Sequence, residues 1–190
     1  MLWLETVKSN IITCQLLVRS DYKYACRLSN VNITDEYASL TIETDHEQGR
    51  TDLNVTILDL SGGHVSFLPN FFQKFPNIQE MSVFESKLMR INENSFKGAF
   101  NLEFLSINGN YLQALEPRIF QNCNKLNTLN LNFNNISKID RDAFFGLENN
   151  VMTLNLERNY CIDEMFSINT KKDWSLIWGK LRMCVLDEKN

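Results

Sequence analysis

The chain repeats itself. Leu102-x-x-Leu105-x-Ile107-x-x-Asn110-x-Leu112 returns 24 residues later as Leu126-x-x-Leu129-x-Leu131-x-x-Asn134-x-Ile136. Upstream, Ile78, Met81, Val83, Ser86 and Leu88 take the same places, preceded by Val55, Leu58, Leu60, Gly63 and Val65. Downstream come Val151, Leu154, Leu156, Asn159 and Cys161. The second half of each unit repeats too. Leu68, Ile91, Leu115 and Ile139 form one column, Phe72, Phe96, Phe120 and Phe144 another, and Phe75, Ala99, Cys123 and Leu147 a third. Self-similarity at a spacing of 23–25 residues marks a stacked array, in which each unit buries its apolar side only against its neighbours.

The x-Leu-x-Leu-x stretch alternates, so it reads as a short strand with one face inward. Parallel strands stack about 4.8 Å apart. The Phe side of each coil is bulkier, so the stack curves with the sheet on its concave side. Asn110, Asn134 and Asn159 fall in the turn after the strand, where an amide satisfies backbone groups that no ladder reaches. Gly63 and Ser86 stand there in the first two units, which predicts looser or differently hydrogen-bonded turns at that end. The repeated Leu, Phe and Asn columns are read as core, with no functional role.

Composition narrows the classes. Of 190 residues, 44% are hydrophobic and 22% charged, which fits neither a disordered chain nor a membrane span. The net charge of −4 removes the electrostatic case for nucleic acid or an anionic membrane surface. Asparagine, with 24 residues, is over-used. No apolar stretch of signal-peptide length opens the chain, and none is long enough to cross a bilayer.

On these residues the chain resembles the extracellular-type leucine-rich repeat, whose pattern L-x-x-L-x-L-x-x-N-x-L is met almost place by place over residues 55–161. Its short cysteine-bearing ends, Asn-rich repeats and Phe column are similar to small secreted arthropod repeat proteins and to Toll-type receptor ectodomains. The resemblance implies an α/β solenoid: a horseshoe with short parallel strands on the concave face, a mostly irregular convex side and cysteine-bearing caps. Residues 1–54 are read as an N-terminal cap with a hairpin and a degenerate first coil. Residues 55–160 form about five repeats, and residues 161–190 a C-terminal cap with a helix.

In the front cap, Cys14–Val18 and Tyr22–Cys26 flank Arg19-Ser20-Asp21 as a hairpin. Leu28-x-x-Val31-x-Ile33 reads as the degenerate coil, and Thr44 to Asp52 as a polar loop. In the back cap, Thr170-Lys171-Lys172-Asp173 fits a capping box leading into Trp174, Ile177, Trp178 and Leu181 at helical spacing. That helix lays two tryptophans over the last coil. Five cysteines leave one over. Cys123 shares a core column and is read as a buried thiol. Of three possible pairings of the other four, only Cys14–Cys26 with Cys161–Cys184 keeps each pair within its own cap. Paired cap cysteines belong to an oxidising compartment. Sequons at Asn32, Asn54 and Asn135 agree as glycosylation candidates. The expectation is a secreted or extracellular protein, either processed or an excised ectodomain.

Enzymatic readings find little material. His46 and His64 stand apart from any Ser or Cys nucleophile, and no cofactor or metal motif is legible. Asp45-His46-Glu47 reads as a solvated loop rather than a metal site. The leading expectation is a non-enzymatic module that binds a protein or peptide through its concave sheet, in innate immune or receptor-type recognition. A structural, self-assembling matrix protein and a secreted inhibitor or decoy are the alternatives, and a homodimer is open. Strand alternation aims the residues between the buried leucines at the partner: Ile57, Asp59, Glu80, Ser82, Phe84, Phe104, Ser106, Asn108, Asn130, Asn132 and Asn155, with Phe133 just past its strand. Phe84, Phe104 and Phe133 are expected to be exposed as a patch. Glu80, Glu85 and Glu103 are expected to make the early end acidic, inviting a basic partner.

Overall fold

A computed structural model describes residues 10–21, 23–34 and 40–185; Tyr22, expected in the hairpin, and both chain ends lie outside them. In chain order the strands are β1 (Asn10–Val18), β2 (Tyr24–Ser29), β3 (Asn32–Ile33), β4 (Leu40–Thr44), β5 (Val55–Ser61), β6 (His64–Val65) and β7 (Glu80–Phe84). Then come β8 (Phe104–Ser106), β9 (Ala114–Leu115), β10 (Thr128–Asn130), β11 (Lys138–Ile139), β12 (Thr153–Asn155) and β13 (Met165–Ser167), before helix α1 (Lys171–Lys180).

One sheet organises the molecule, in the order β13-β12-β10-β8-β7-β5-β2-β1-β4. Among the described residues, six of these strands, β2, β5, β7, β8, β10 and β12, run parallel side by side. The leucines of each strand face the core: Leu58, Leu60, Met81, Val83, Leu105, Ile107, Leu129, Leu131, Leu154 and Leu156 are buried. The other side of each coil is mostly turns, a four-residue 3₁₀ segment (Glu93–Phe96) and the two-stranded pairs β3–β6 and β9–β11. This is the expected solenoid with its sheet on one face and little regular structure on the other.

The Phe column forms a continuous spine. Ring centroids lie 6.3 Å apart from Phe72 to Phe96, 5.4 Å from Phe96 to Phe120 and 6.5 Å from Phe120 to Phe144. Phe144 then meets Trp174 at 5.8 Å and Trp178 at 5.7 Å, so α1 closes the spine as the sequence predicts. The Asp173 carboxylate accepts the backbone N–H groups of Asn169 and Thr170, fixing the helix start and holding its pKa below the usual carboxylate range.

Both caps are disulfide-bonded, Cys14 to Cys26 and Cys161 to Cys184, with Cα atoms 5.5 and 5.2 Å apart. Cys123 is free and buried. Two cap strands have no counterpart in the sequence pattern. β4 pairs parallel with β1 at the front edge, and β13 pairs antiparallel with β12 at the back.

The degenerate coil exists in a different register from that read from the sequence. Cys26 and Leu28 pair with Leu58 and Leu60, and Ile33 pairs with Val65. Leu28 is therefore the second strand position of its coil, not the residue that precedes the strand. The strand places are held by Cys26 and Leu28, and the next coil begins 32 rather than 24 residues on because β4 and its loop are inserted. The Gly63 turn is not loose. A Cβ there would collide with the Val31 carbonyl oxygen, and φ is +77°. Backbone packs on backbone where later coils use an asparagine side chain.

Candidate functional site

Three rows of side chains cross the concave sheet, set by strand register. The first runs Ala25, Ile57, Glu80, Phe104, Thr128, Thr153 and Ser167. The middle row runs Arg27, Asp59, Ser82, Ser106, Asn130, Asn155 and Met165. In the third, Ser29, Ser61 and Phe84 are paired, and the repeat continues it through Asn108, Asn132 and Glu157. The middle row is short and polar from Asp59 to Asn155, as the alternation predicts; Arg27 and Met165, which lie outside the repeat columns, extend it at either end.

Ile57 is not a surface residue. It is 1% exposed because it lies between Ala25 and Glu80, and the Glu80 carboxylate reaches back across it to Lys23 and to Arg19, the latter at 3.4 Å. Those pairs neutralise one of the three carboxylates, Glu80, Glu85 and Glu103, of the expected acidic end. Glu80 is answered twice, and Asp59 has Arg27 at 3.8 Å. Hydrogen bonding to Glu80 raises the Lys23 pKa, so the ammonium stays charged. Ser106 is also buried, recessed between Ser82 and Asn130 with its hydroxyl donated to Asn108 Oδ1 at 3.1 Å.

The three phenylalanines do not form one patch. Phe104 is opposite Glu80, while Phe84 lies four residues further along β7. At about 3.3 Å per residue the two sit at opposite ends of the strands. Phe104 is half-buried, whereas Phe84 and Phe133 are 42% and 57% exposed. The Phe84 ring lies 3.5 Å from where a Gly109 side chain would begin. Phe133 holds the turn position equivalent to Gly109 on the next coil, its carbonyl accepting the Asn110 N–H. Gly109 has no side chain beside the Phe84 ring and the Glu85 stem.

That turn position is left-handed in every coil: φ is +68° at Gly62, +47° at Glu85, +64° at Gly109, +52° at Phe133 and +58° at Arg158. A bulky residue there costs about 1–2 kcal/mol relative to ordinary backbone. Phe133 is thus held outward against both its backbone preference and its hydrophobicity. Sequence pattern alone does not show this, because the strain exists only once the turn is built.

A second cluster lies at the front edge. His46, expected in a solvated loop, has Nε2 2.7 Å from Asp52 Oδ1 and Nδ1 3.3 Å from the Tyr24 hydroxyl. Thr44 and Lys74 also donate to Asp52, at 3.1 and 2.9 Å, and the Arg50 guanidinium stacks 4.4 Å from the Tyr24 ring centroid. Partial burial would raise the Asp52 pKa; hydrogen bonds from Lys74, His46 and Thr44 outweigh it and hold the carboxyl low. The cluster ties the loop onto the cap and first coil. Its members belong to none of the repeat columns, so spacing gives no hint of it. Among the described residues no group of three His, Cys, Asp or Glu is placed to hold a metal ion. No helix there is long and apolar enough to cross a membrane.

The sequon asparagines differ in setting. Asn32 and Asn54 are exposed and Asn135 is half-buried. Asn54 Oδ1 accepts the Thr51 N–H at 2.8 Å. A main-chain N–H only donates, so the Nδ2 of Asn54 is the end turned away from that contact.

Comparison with known proteins agrees with this geometry. Residues 100–161 match the leucine-rich repeat family model. The human leucine-rich repeats and immunoglobulin-like domains protein 3 is 30% identical over 105 residues, 54% of this chain and only 9% of that protein. Among solved structures, the APL1 leucine-rich repeat domain superposes with a TM-score of 0.61 at 20% identity, covering 78% of this chain and 36% of that one. A TLR13–ssRNA13 complex matches at a TM-score of 0.44 and 22% identity, over 70% of this chain and 21% of that one. Residues 100–161 are therefore leucine-rich repeats, and the chain shares the fold of the APL1 leucine-rich repeat domain.

Proposed function

We propose that this protein is a non-enzymatic recognition module of the extracellular space, of the kind used in innate immune or receptor-type recognition, and that it binds a protein or peptide through its concave sheet. Front cap (residues 1–54), repeats (55–160) and back cap (161–190) act as one unit. The observation that carries the reading is the pair Phe84 and Phe133, exposed beside a polar floor, one of them on costly backbone. Aromatic anchors beside hydrogen-bonding groups are what a binding hot spot requires. Asp59, Glu80, Ser82, Phe104, Asn108, Asn130, Asn132 and Asn155 form the surround. Two disulfides support secretion, and Asn32, Asn54 and Asn135 are the proposed glycan acceptors.

The test is capture. Immobilised parent chain should retain an extracellular protein that Phe84→Ser with Phe133→Gly does not, with the two chains within about 1 kcal/mol of each other in stability. Retained capture on an intact fold would move the site to the convex side or the caps.

A further inference from the structure

We propose that Asn108 is a self-modifying site: its side-chain amide is displaced by the main chain and then replaced by water, which leaves a carboxylate on the concave face and loosens the turn beside it. The site stands whether or not that face binds a partner.

The chain has 24 asparagines, and Asn108 alone is followed by glycine. Within a chain, the nucleophile that can reach an asparagine Cγ is the backbone nitrogen of the next residue, and a side chain on that residue hinders it. Gly109 has none. The atoms nearest to where one would begin are the Phe84 ring at 3.5 Å and the Glu85 stem at 3.7 Å, both side chains rather than backbone. Its φ of +64° carries no steric cost for glycine.

The amide is also less restrained than its neighbours. Asn110, Asn134 and Asn159 hold both ends of their amides on backbone groups. Asn77, Asn101 and Asn150 donate Nδ2 to a carbonyl of the coil before. Asn108 Nδ2, the leaving group, has no partner among the described residues, while Oδ1 accepts the Ser106 hydroxyl at 3.1 Å. A donor there stabilises the charge that builds on the oxygen as a nitrogen adds to Cγ. One contact opposes the reaction: the Gly109 N–H is donated to the Asn132 carbonyl at 3.2 Å. The turn must open first. It lies just past β8, where the ladder has ended, and such segments open locally without global unfolding.

The Gly109 nitrogen gives its proton to a solvent base and bonds to Cγ. The Cγ–Nδ2 bond breaks, and Nδ2 leaves as ammonia after taking up a proton. Water then opens the cyclic imide. Opening at Cγ gives aspartate; opening at the main-chain carbonyl gives isoaspartate, whose backbone runs through Cγ. In sum, amide and water become carboxylate and ammonium. Either product adds a negative charge between Phe84 and Asn132 in the third row. Isoaspartate also displaces the main-chain carbonyl that accepts Asn110 Nδ2 at 3.0 Å, a contact of the bridge between coils.

The test ages the folded chain at mildly alkaline pH and maps its peptides by mass, with isoaspartyl methyltransferase as the probe for the isomer. Asn108 should convert at least tenfold faster than any other asparagine, and folded Ser106→Ala should slow it at least threefold. The isoaspartate form should melt below Asn108→Asp, which carries the same charge on an unaltered backbone. Three results would overturn the proposal: Asn108 converting no faster than the other asparagines, the parent's rate in folded Ser106→Ala, or an isoaspartate form as stable as Asn108→Asp. Should Ser106→Ala unfold, the parent's selectivity for Asn108 and the melting comparison still decide it.

Discussion

Asn110 donates its side-chain amide to the main-chain carbonyl of Val83, one coil earlier, at 2.9 Å. Its Oδ1 accepts the N–H groups of Ser86 and Leu88, both at 3.0 Å. Asn134 and Asn159 repeat the reach, to the carbonyls of Ile107 at 2.6 Å and Leu131 at 3.0 Å. One buried side chain therefore joins two coils where the strand ladder has ended. Asn110→Ala leaves a carbonyl and two N–H groups buried without partners, and each such group costs about 1–3 kcal/mol. Equilibrium denaturation should show a loss of about 3 kcal/mol or more, whereas Asn108→Ala, in a half-buried floor position, should lose less than about 1 kcal/mol.

Phe133→Gly separates strain from stability. Relief of a left-handed phenylalanine favours the variant by about 1 kcal/mol, while the added backbone freedom of glycine in the unfolded chain opposes it by a similar amount. The melting temperature should stay near the parent's although an aromatic side chain is gone. A large destabilisation would show that the ring is packed rather than displayed.

Cys123 is fully buried, and burial pushes its thiol up to about 12. A thiol reagent at neutral pH should therefore label it only when the chain opens, at a rate that tracks unfolding. The linkage has a definite sign. The folded value lies above the ordinary thiol value of 9.0, so the contribution to stability is present below that pH and is lost as pH rises toward the folded value. Cys123→Ala should flatten that alkaline decline in melting temperature.

Asp52 titrates in the opposite sense. Its folded pKa is held below the ordinary value of 3.8, so its contribution is present above that pH and lost as pH falls through the lowered folded value. Asp52→Asn should narrow the difference in melting temperature between neutral and acid pH. It should also speed proteolytic cleavage in the 45–51 loop, which the Asp52–His46 contact pins.

Most of the fold is legible in the sequence because a solenoid writes its core as columns. Leu58 to Leu156, the Phe spine and the turn asparagines each recur every 23–25 residues, and position in the repeat fixes burial. Legibility ends where the period does. The first coil is longer by an insertion and uses Cys26 as a core residue, so its register differs from the one the pattern suggests. Ile57 follows the outward alternation and is buried all the same, because Glu80 on β7 reaches to Lys23 and Arg19 in the turn between β1 and β2. The Tyr24–His46–Asp52–Lys74 cluster has no period at all. At the concave face the sequence shows which residues point outward, and its 24-residue offset already sets Phe104 beside Glu80 rather than beside Phe84, as the strand register has it.

Hydrogen exchange of the chain with and without its captured partner addresses the central claim most directly. A concave-face complex should slow exchange across residues 80–84, 104–109, 128–133 and 153–157, in strands that neighbour one another only in the folded solenoid. Protection confined to the turns around residues 93–99 and 117–123, or to the caps, with the strand segments unchanged, would contradict it.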